Sequence, residues 1–211
     1  MQIAITGTTT GIGRACVELL QKENYGITEI NRDLIDLENV EQIKQINLAR
    51  HDVLINNAGH GRGSPANLKN CRDEDIISMI KVNLIAPILL AKRFIEQNPH
   101  GKIINITSTV VKRKQGGSIP YDVSKHGLQI FTECLRDELK DQYQCIEIIP
   151  GRTKTAFKKN AGHTDHDAVN YTGKYQYAVS AQEVADVVLQ TIKKNNIFQI
   201  EIQHPFFRYK N

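Results

Sequence analysis

The chain has 211 residues, of which 40% are apolar, 24% charged and 6% aromatic. That is enough for one core of ordinary size and too little for two full domains, so residues 1–211 are expected to form a single domain. Its 27 basic and 23 acidic residues leave a net charge of +4 with the two signs interspersed, which argues against the contiguous basic face of a nucleic-acid binder. The longest apolar runs fall short of a bilayer span, and Met1-Gln-Ile-Ala-Ile enters a strand-like segment without a basic leader. Cys16, Cys71, Cys134 and Cys145 form no CxxC pair. A cytoplasmic chain with reduced thiols and no membrane or nucleic-acid partner is therefore expected.

Strand-like and helix-like segments alternate along the chain. Strand patterns fall at Gln2 to Thr6, Gly26 to Asn31, Asp52 to Asn56, Lys102 to Ser108, Cys145 to Ile149 and Ile197 to Gln203. Helical periodicity falls between them, at Ile12 to Lys22, Val40 to Leu48, Asp73 to Gln97, Pro120 to Asp141 and Ala181 to Lys193. The strands are near-continuous apolar runs, as strands buried on both faces must be. The expected fold is α/β: a doubly wound parallel sheet in a three-layer α/β/α arrangement, with ligands at the C-terminal strand edge.

The first strand ends in Thr6-Gly7-Thr8-Thr9-Thr10-Gly11-Ile12-Gly13, where a helix opens. Glycines allow a sharp turn and close approach to a pyrophosphate, and the helix start offers free amides and a positive dipole end. Further on come Asn56-Asn57-Ala58-Gly59 at a strand end, Asn83 within a long helix, Ser108 at the next strand end and Tyr121-Asp122-Val123-Ser124-Lys125 opening a helix. In this order the motifs resemble the single-domain branch of the short-chain dehydrogenase/reductase family, from Gln2 to about Thr155. The resemblance implies a Rossmann fold and an enzyme acting on a CH-OH or C=O group.

The residues support acid/base chemistry without the family name. Tyr121 and Lys125 are four apart in a helix and so share a face. A phenol of reference pKa about 10 becomes usable near neutrality only if a cation favours its phenolate, and Lys125 can provide one. Ser108 at a strand end can hold a substrate oxygen while Tyr121 moves the proton. Pro87 lacks the amide that would bond the Asn83 carbonyl, and the resemblance makes Asn83 the holder of a water in a relay through Lys125. It also implies that Pro150, Gly151, Thr153 and Thr155 grip the nicotinamide carboxamide, and that Asn57, Ala58 and Gly59 lie on the ribose side. The competing expectation is a dinucleotide-binding sensor or scaffold without catalysis.

The end of the second strand, Ile30-Asn31-Arg32-Asp33, bears on the cofactor. Asn31 stands where an acidic residue would pair with both ribose hydroxyls, and Arg32 offers a planar fork to a 2′-phosphate. NADP(H) is expected in preference to NAD(H). Asp33 could neutralise Arg32 or itself face the ribose.

Asp36-Leu37 resembles the family's adenine-bracketing pair but follows Arg32 by only four residues, too few for a parallel crossover. Six main strands are therefore expected, ordered 2-1-4-5-6-7 in family counting, with the usual third strand missing and the second near an edge. Residues 152–180 should form a substrate loop. Its lysines and tyrosines, with Lys112-Arg113-Lys114, favour a small polar or anionic carbonyl or alcohol substrate. His163 and His166 lack a third ligand, and no metal is expected. By resemblance the chain forms a homodimer or homotetramer through its two long helices.

Overall fold

A computed structural model describes residues 1–61, 68–112, 118–139, 142–155, 178–203 and, as backbone, 206–210. Arg113 and Lys114, the two histidines near residue 165, and the lysines and tyrosines between 156 and 177 fall outside them.

The first half runs β1 (Gln2–Thr6), α1 (Gly11–Lys22), β2 (Gly26–Ile30), α2 (Val40–Gln45), β3 (Val53–Asn56), α3 (Asp73–Ile80) and α4 (Ala86–Gln97). The second runs β4 (Gly101–Ile106), α5 (Ile119–Leu139), β5 (Tyr143–Pro150), β6 (Thr153–Lys154), β7 (Val179–Ser180), α6 (Ala181–Lys193), β8 (Gln199–Gln203) and β9 (Phe206–Lys210). The main sheet is ordered β2-β1-β3-β4-β5-β8-β9. Its first six strands are parallel and β9 is antiparallel to β8.

This is the expected strand order, with β9 added. Among the described residues β2 pairs only with β1 and forms the sheet edge. No strand intervenes between β2 and α2. Nine residues separate Ile30 from Val40, and they fold as turns in which Leu34 and Ile35 donate their amides to the Asn31 carbonyl. Asn39 then caps α2 by accepting from the amides of Glu41 and Gln42. A side-chain oxygen that satisfies helix-start amides is worth about 1 kcal/mol.

Successive side chains of each strand feed opposite cores. Ile3 and Ile5 join Val17, Leu20, Val184 and Val188 on the side of α1 and α6. Ala4 and Leu54 join Ile43, Leu90, Phe94 and Leu135 on the side of α2, α4 and α5. All of these are buried, which accounts for strands without polar alternation. Ser180 and Glu183 form a capping box at the start of α6.

The helical stretch expected at Asp73 to Gln97 is interrupted. Between α3 and α4, Lys81–Ile85 form a wide turn in which the Ala86 amide reaches back five residues to the Lys81 carbonyl. Such π-type turns occur where a helix gives up regular bonding to place a group. Asn83 is fully buried within this one.

Candidate active site

The C-terminal ends of β1 to β5 converge on one edge of the sheet. At the first, Gly7 has φ +70° and Gly11 has φ +61°, left-handed values that favour glycine. A Cβ on Gly7 would lie 2.7 Å from Ala58 Cα, and one on Gly13 only 2.1 Å from the Gly7 carbonyl oxygen. The glycines thus let the turn fold onto the start of α1 and onto the Asn57-Ala58 segment.

That segment is fastened from the other side. Asn57 Nδ2 donates to the carbonyls of Thr6 (2.9 Å) and Gly7 (3.0 Å). Thr6 Oγ1 accepts from the amides of Asn57 (3.0 Å) and Ala58 (2.9 Å). The Gly7 amide donates to the Ile30 carbonyl at 3.2 Å, so Asn31 and exposed Arg32 leave the sheet beside the glycine turn. Asn31 Oδ1 accepts from the Asp33 amide at 3.1 Å, and Asp36 Oδ1 from the Glu38 amide at 3.0 Å.

Thr10, before α1, makes no side-chain cap, and the first turn of α1 carries no acid. Its amides and positive end are therefore available to an anion. A Cβ on Gly11 would meet Thr155 Cγ2 at 3.2 Å, so the Pro150-to-Thr155 segment closes over the glycine turn. Thr8 Oγ1 is buried without a hydrogen-bond partner. The glycine cradle, the uncapped helix start and the hydroxyl of Thr155 together fit a dinucleotide.

The ends of β4 and α5 bring in the next group of side chains. Ser108 follows β4, and its side chain lies beside that of Tyr121 in the first turn of α5. Burial pushes the Tyr121 phenol up to about 12, against the lowering effect of the Ser108 hydroxyl. Lys125, one turn along, is 4% exposed and donates Nζ to the Ile106 carbonyl at 3.0 Å. Burial brings it down to about 8. Both shifts favour the neutral forms of the two groups.

Asn83 is held by its whole carboxamide. Its Oδ1 accepts from the His60 amide (2.9 Å), and its Nδ2 donates to the His60 carbonyl (2.9 Å) and to Ser124 Oγ (3.1 Å). A Cβ on Gly59 would lie 3.2 Å from Asn83 Oδ1 and 3.3 Å from Lys125 Nζ. The structure therefore gathers Gly59, Asn83, Ser108, Tyr121 and Lys125, four segments apart in the chain. The side chain of Asn83 is spent on these bonds, and Pro87, four residues on, has no amide to offer its main-chain carbonyl.

Sequence reasoning passed over His60, Ser78 and Glu38, which bond to one another beside this cluster. It also passed over buried Asn105, which accepts from Asn56 Nδ2 (2.8 Å) and donates to Thr132 Oγ1 (2.8 Å). The position of His60 directly after Asn-Asn-Ala-Gly was the only available signal.

Residues 33–166 match the sequence model of the short chain dehydrogenase family. The match takes in Asn83, Ser108, Tyr121 and Lys125, with the glycine turn lying before it. Carbonyl reductase family member 4 of Xenopus tropicalis is 33% identical over 175 residues, covering 70% of this chain and 73% of that protein. The probable short-chain type dehydrogenase/reductase VdlC of Helicobacter pylori is 29% identical over 223 residues, covering 88% and 81%. A solved small-chain dehydrogenase in complex with NADPH superposes with a TM-score of 0.84 at 18% identity, covering 96% of each chain, a likeness of fold. The chain belongs to the short-chain dehydrogenase/reductase family of oxidoreductases.

Proposed function

We propose that the protein is an NADP(H)-dependent oxidoreductase that moves hydride between the nicotinamide and a carbonyl or alcohol carbon, with Tyr121 as general acid/base. The observation that carries this reading is the placing of the Ser108 hydroxyl beside the Tyr121 phenol, one helical turn from buried Lys125.

In this reading Ser108 orients the substrate oxygen and Tyr121 exchanges its proton with it. Lys125 holds the ribose and, when protonated, favours the phenolate that forms if Tyr121 gives up its proton. The Asn83 carbonyl completes the proton route to solvent. Bound NADP(H) would supply or accept the hydride. Gly7 to Gly13 and the start of α1 would hold its pyrophosphate, Arg32 its 2′-phosphate, Asp36 and Leu37 its adenine, and Thr153 and Thr155 its carboxamide. Residues 152–180 would form the substrate loop, and exposed Lys112 and Lys154 support a small polar or anionic substrate. The NADPH complex of the similar solved structure supports the cofactor choice.

No helix among the described residues is long and apolar enough to cross a membrane. The four cysteines form no disulfide, which supports a reducing, cytoplasmic compartment. Exposed Ile77 on α3 and Val123 and Ile130 on α5 support assembly with further copies of the chain.

A panel of small carbonyl compounds with NADPH, run beside Tyr121→Phe, tests the reading. The substitution should lower turnover by about 10²-fold or more and leave NADPH binding intact. Cofactor binding with no tyrosine-dependent turnover on any member would favour a dinucleotide sensor instead.

A further inference from the structure

The turn that replaces a further sheet strand ends at Glu38, beside Asp36 and Leu37, and Glu38 is bonded across to α3. Ser78 Oγ donates to Glu38 Oε1 at 2.9 Å and lies 3.0 Å from His60 Nε2. A serine hydroxyl has one proton and an ionised carboxylate can only accept. Because that proton goes to Glu38, the Ser78–His60 bond requires His60 to carry its own proton on Nε2.

The main chain of His60 is in turn the partner of Asn83, through one bond given and one received, each 2.9 Å. The remaining amide proton of Asn83 goes to Ser124 Oγ, and Ser124 donates to the Tyr121 carbonyl at 2.7 Å. A continuous set of hydrogen bonds therefore runs from the turn after β2, through α3 and the Asn57-to-His60 segment, to the first turn of α5. The ring of His60 holds one end and its backbone the other, so the set transmits position and not protons.

We propose that Glu38, Ser78 and His60 form a latch of positioning residues that fixes the placement of Asn83 and ties the adenosine side of the site to the turn carrying Tyr121. Its effect on turnover rests on the oxidoreductase reading; its geometry does not. In a fold with the outer strand present, that edge is supported by strand pairing. Here a carboxylate bonded through one hydroxyl to an imidazole holds it. Misplacing a group by about 1 Å through a change far from the chemistry can cost about 10²-fold in rate, and a smaller shift costs correspondingly less.

The test compares Ser78→Ala and Ser78→Thr in the full-length protein. Nitrogen-15 spectra of the seven histidines, with His60 assigned by His60→Gln, should show the Nε2–H tautomer in the wild type. Ser78→Ala should yield a tautomer mixture, and Ser78→Thr, which keeps the hydroxyl, should restore the wild-type form. In turnover, Ser78→Ala should lower kcat about tenfold with the carbonyl KM within about twofold, and Ser78→Thr should recover most of it.

An Nδ1–H tautomer in the wild type, or one unmoved by Ser78→Ala, overturns the latch. Equal loss of kcat in both variants with an unchanged His60 spectrum reduces Ser78 to a packing role and also overturns it. Failure of the oxidoreductase reading shows separately, as turnover that Tyr121→Phe leaves intact, and the tautomer then still decides the latch.

Discussion

Lys125 donates its ammonium to the carbonyl of Ile106 at 3.0 Å, so the cation at the centre of the site is fastened to the strand that leads into Ser108. Burial without an acidic partner brings its pKa from 10.5 to about 8. At about 1.4 kcal/mol per unit, that is a penalty of roughly 3 kcal/mol on the charged native form. Losing the charge-assisted bond to Ile106 would give back about 2 kcal/mol. Lys125→Met should thus stabilise the protein by about 1 kcal/mol at pH 7, or about 3 °C in melting temperature, while abolishing turnover.

The pH dependence of that gain has a definite sign. The unfolded chain keeps its lysine proton up to about 10.5, whereas the native chain sheds it from about 8. Wild-type stability therefore rises with pH across this window. The advantage of Lys125→Met should be full below pH 8 and fade between 8 and 10.5. Urea unfolding at pH 7 and 9.5 checks it; an advantage that grows with pH would contradict the assigned direction.

Gly13 and Gly11 should respond differently to alanine. At Gly13 the added carbon would sit 2.1 Å from the Gly7 carbonyl oxygen and 2.5 Å from Asn57 Nδ2, so backbone must move. At Gly11 its neighbours among the described residues are the methyl and Cβ of Thr155, at 3.2 and 3.4 Å, and the strain is that of φ +61°. Gly13→Ala should cost about 3 kcal/mol and Gly11→Ala about 1 kcal/mol. Denaturant midpoints of the two variants give the comparison, and equal losses would mean that the close approach of Gly13 to Gly7 does not govern the turn.

The sheet order and the missing strand were both legible in the sequence, because they follow from run length. Buried strands announce themselves as apolar runs, and the three residues between Arg32 and Asp36 cannot hold a crossover. Ser108, Tyr121 and Lys125 were legible from spacing and element type. The wide turn around Asn83 was only half legible, since Pro87 signals a lost bond but not a five-residue reach. His60, Ser78 and Glu38 could not be read, because they lie 18 and 40 residues apart and no periodicity relates them. Antiparallel β9 was not anticipated at the sheet end.

Ile119, Val123 and Ile130 of α5 are 54%, 55% and 56% exposed, as is Ile77 of α3 at 55%, and α3 packs against α5. Such a stripe on adjoining helices is costly to leave in water. If copies of the chain associate through this stripe, the double substitution Val123→Glu, Ile130→Glu should leave a monomer without loss of helical circular dichroism. Light scattering coupled to size exclusion reads the result, and an unchanged mass would place any contact between copies elsewhere.

Arg32 leaves the end of β2 exposed, next to the bond between the Gly7 amide and the Ile30 carbonyl. If its guanidinium meets the 2′-phosphate, the contact is a charge-assisted pair worth about 1.4 kcal/mol or more, a tenfold change in affinity. Arg32→Ala should weaken NADPH binding about tenfold and leave NADH within about twofold, since the two cofactors differ only in that phosphate. Asp33 is the competing group, its amide held by Asn31 Oδ1 at 3.1 Å. If Asp33 instead faces the ribose, Asp33→Asn should weaken NADH and spare NADPH. Fluorescence titration of both cofactors against both variants separates the cases. Equal NADPH affinity in the wild type and Arg32→Ala would transfer phosphate recognition to another residue.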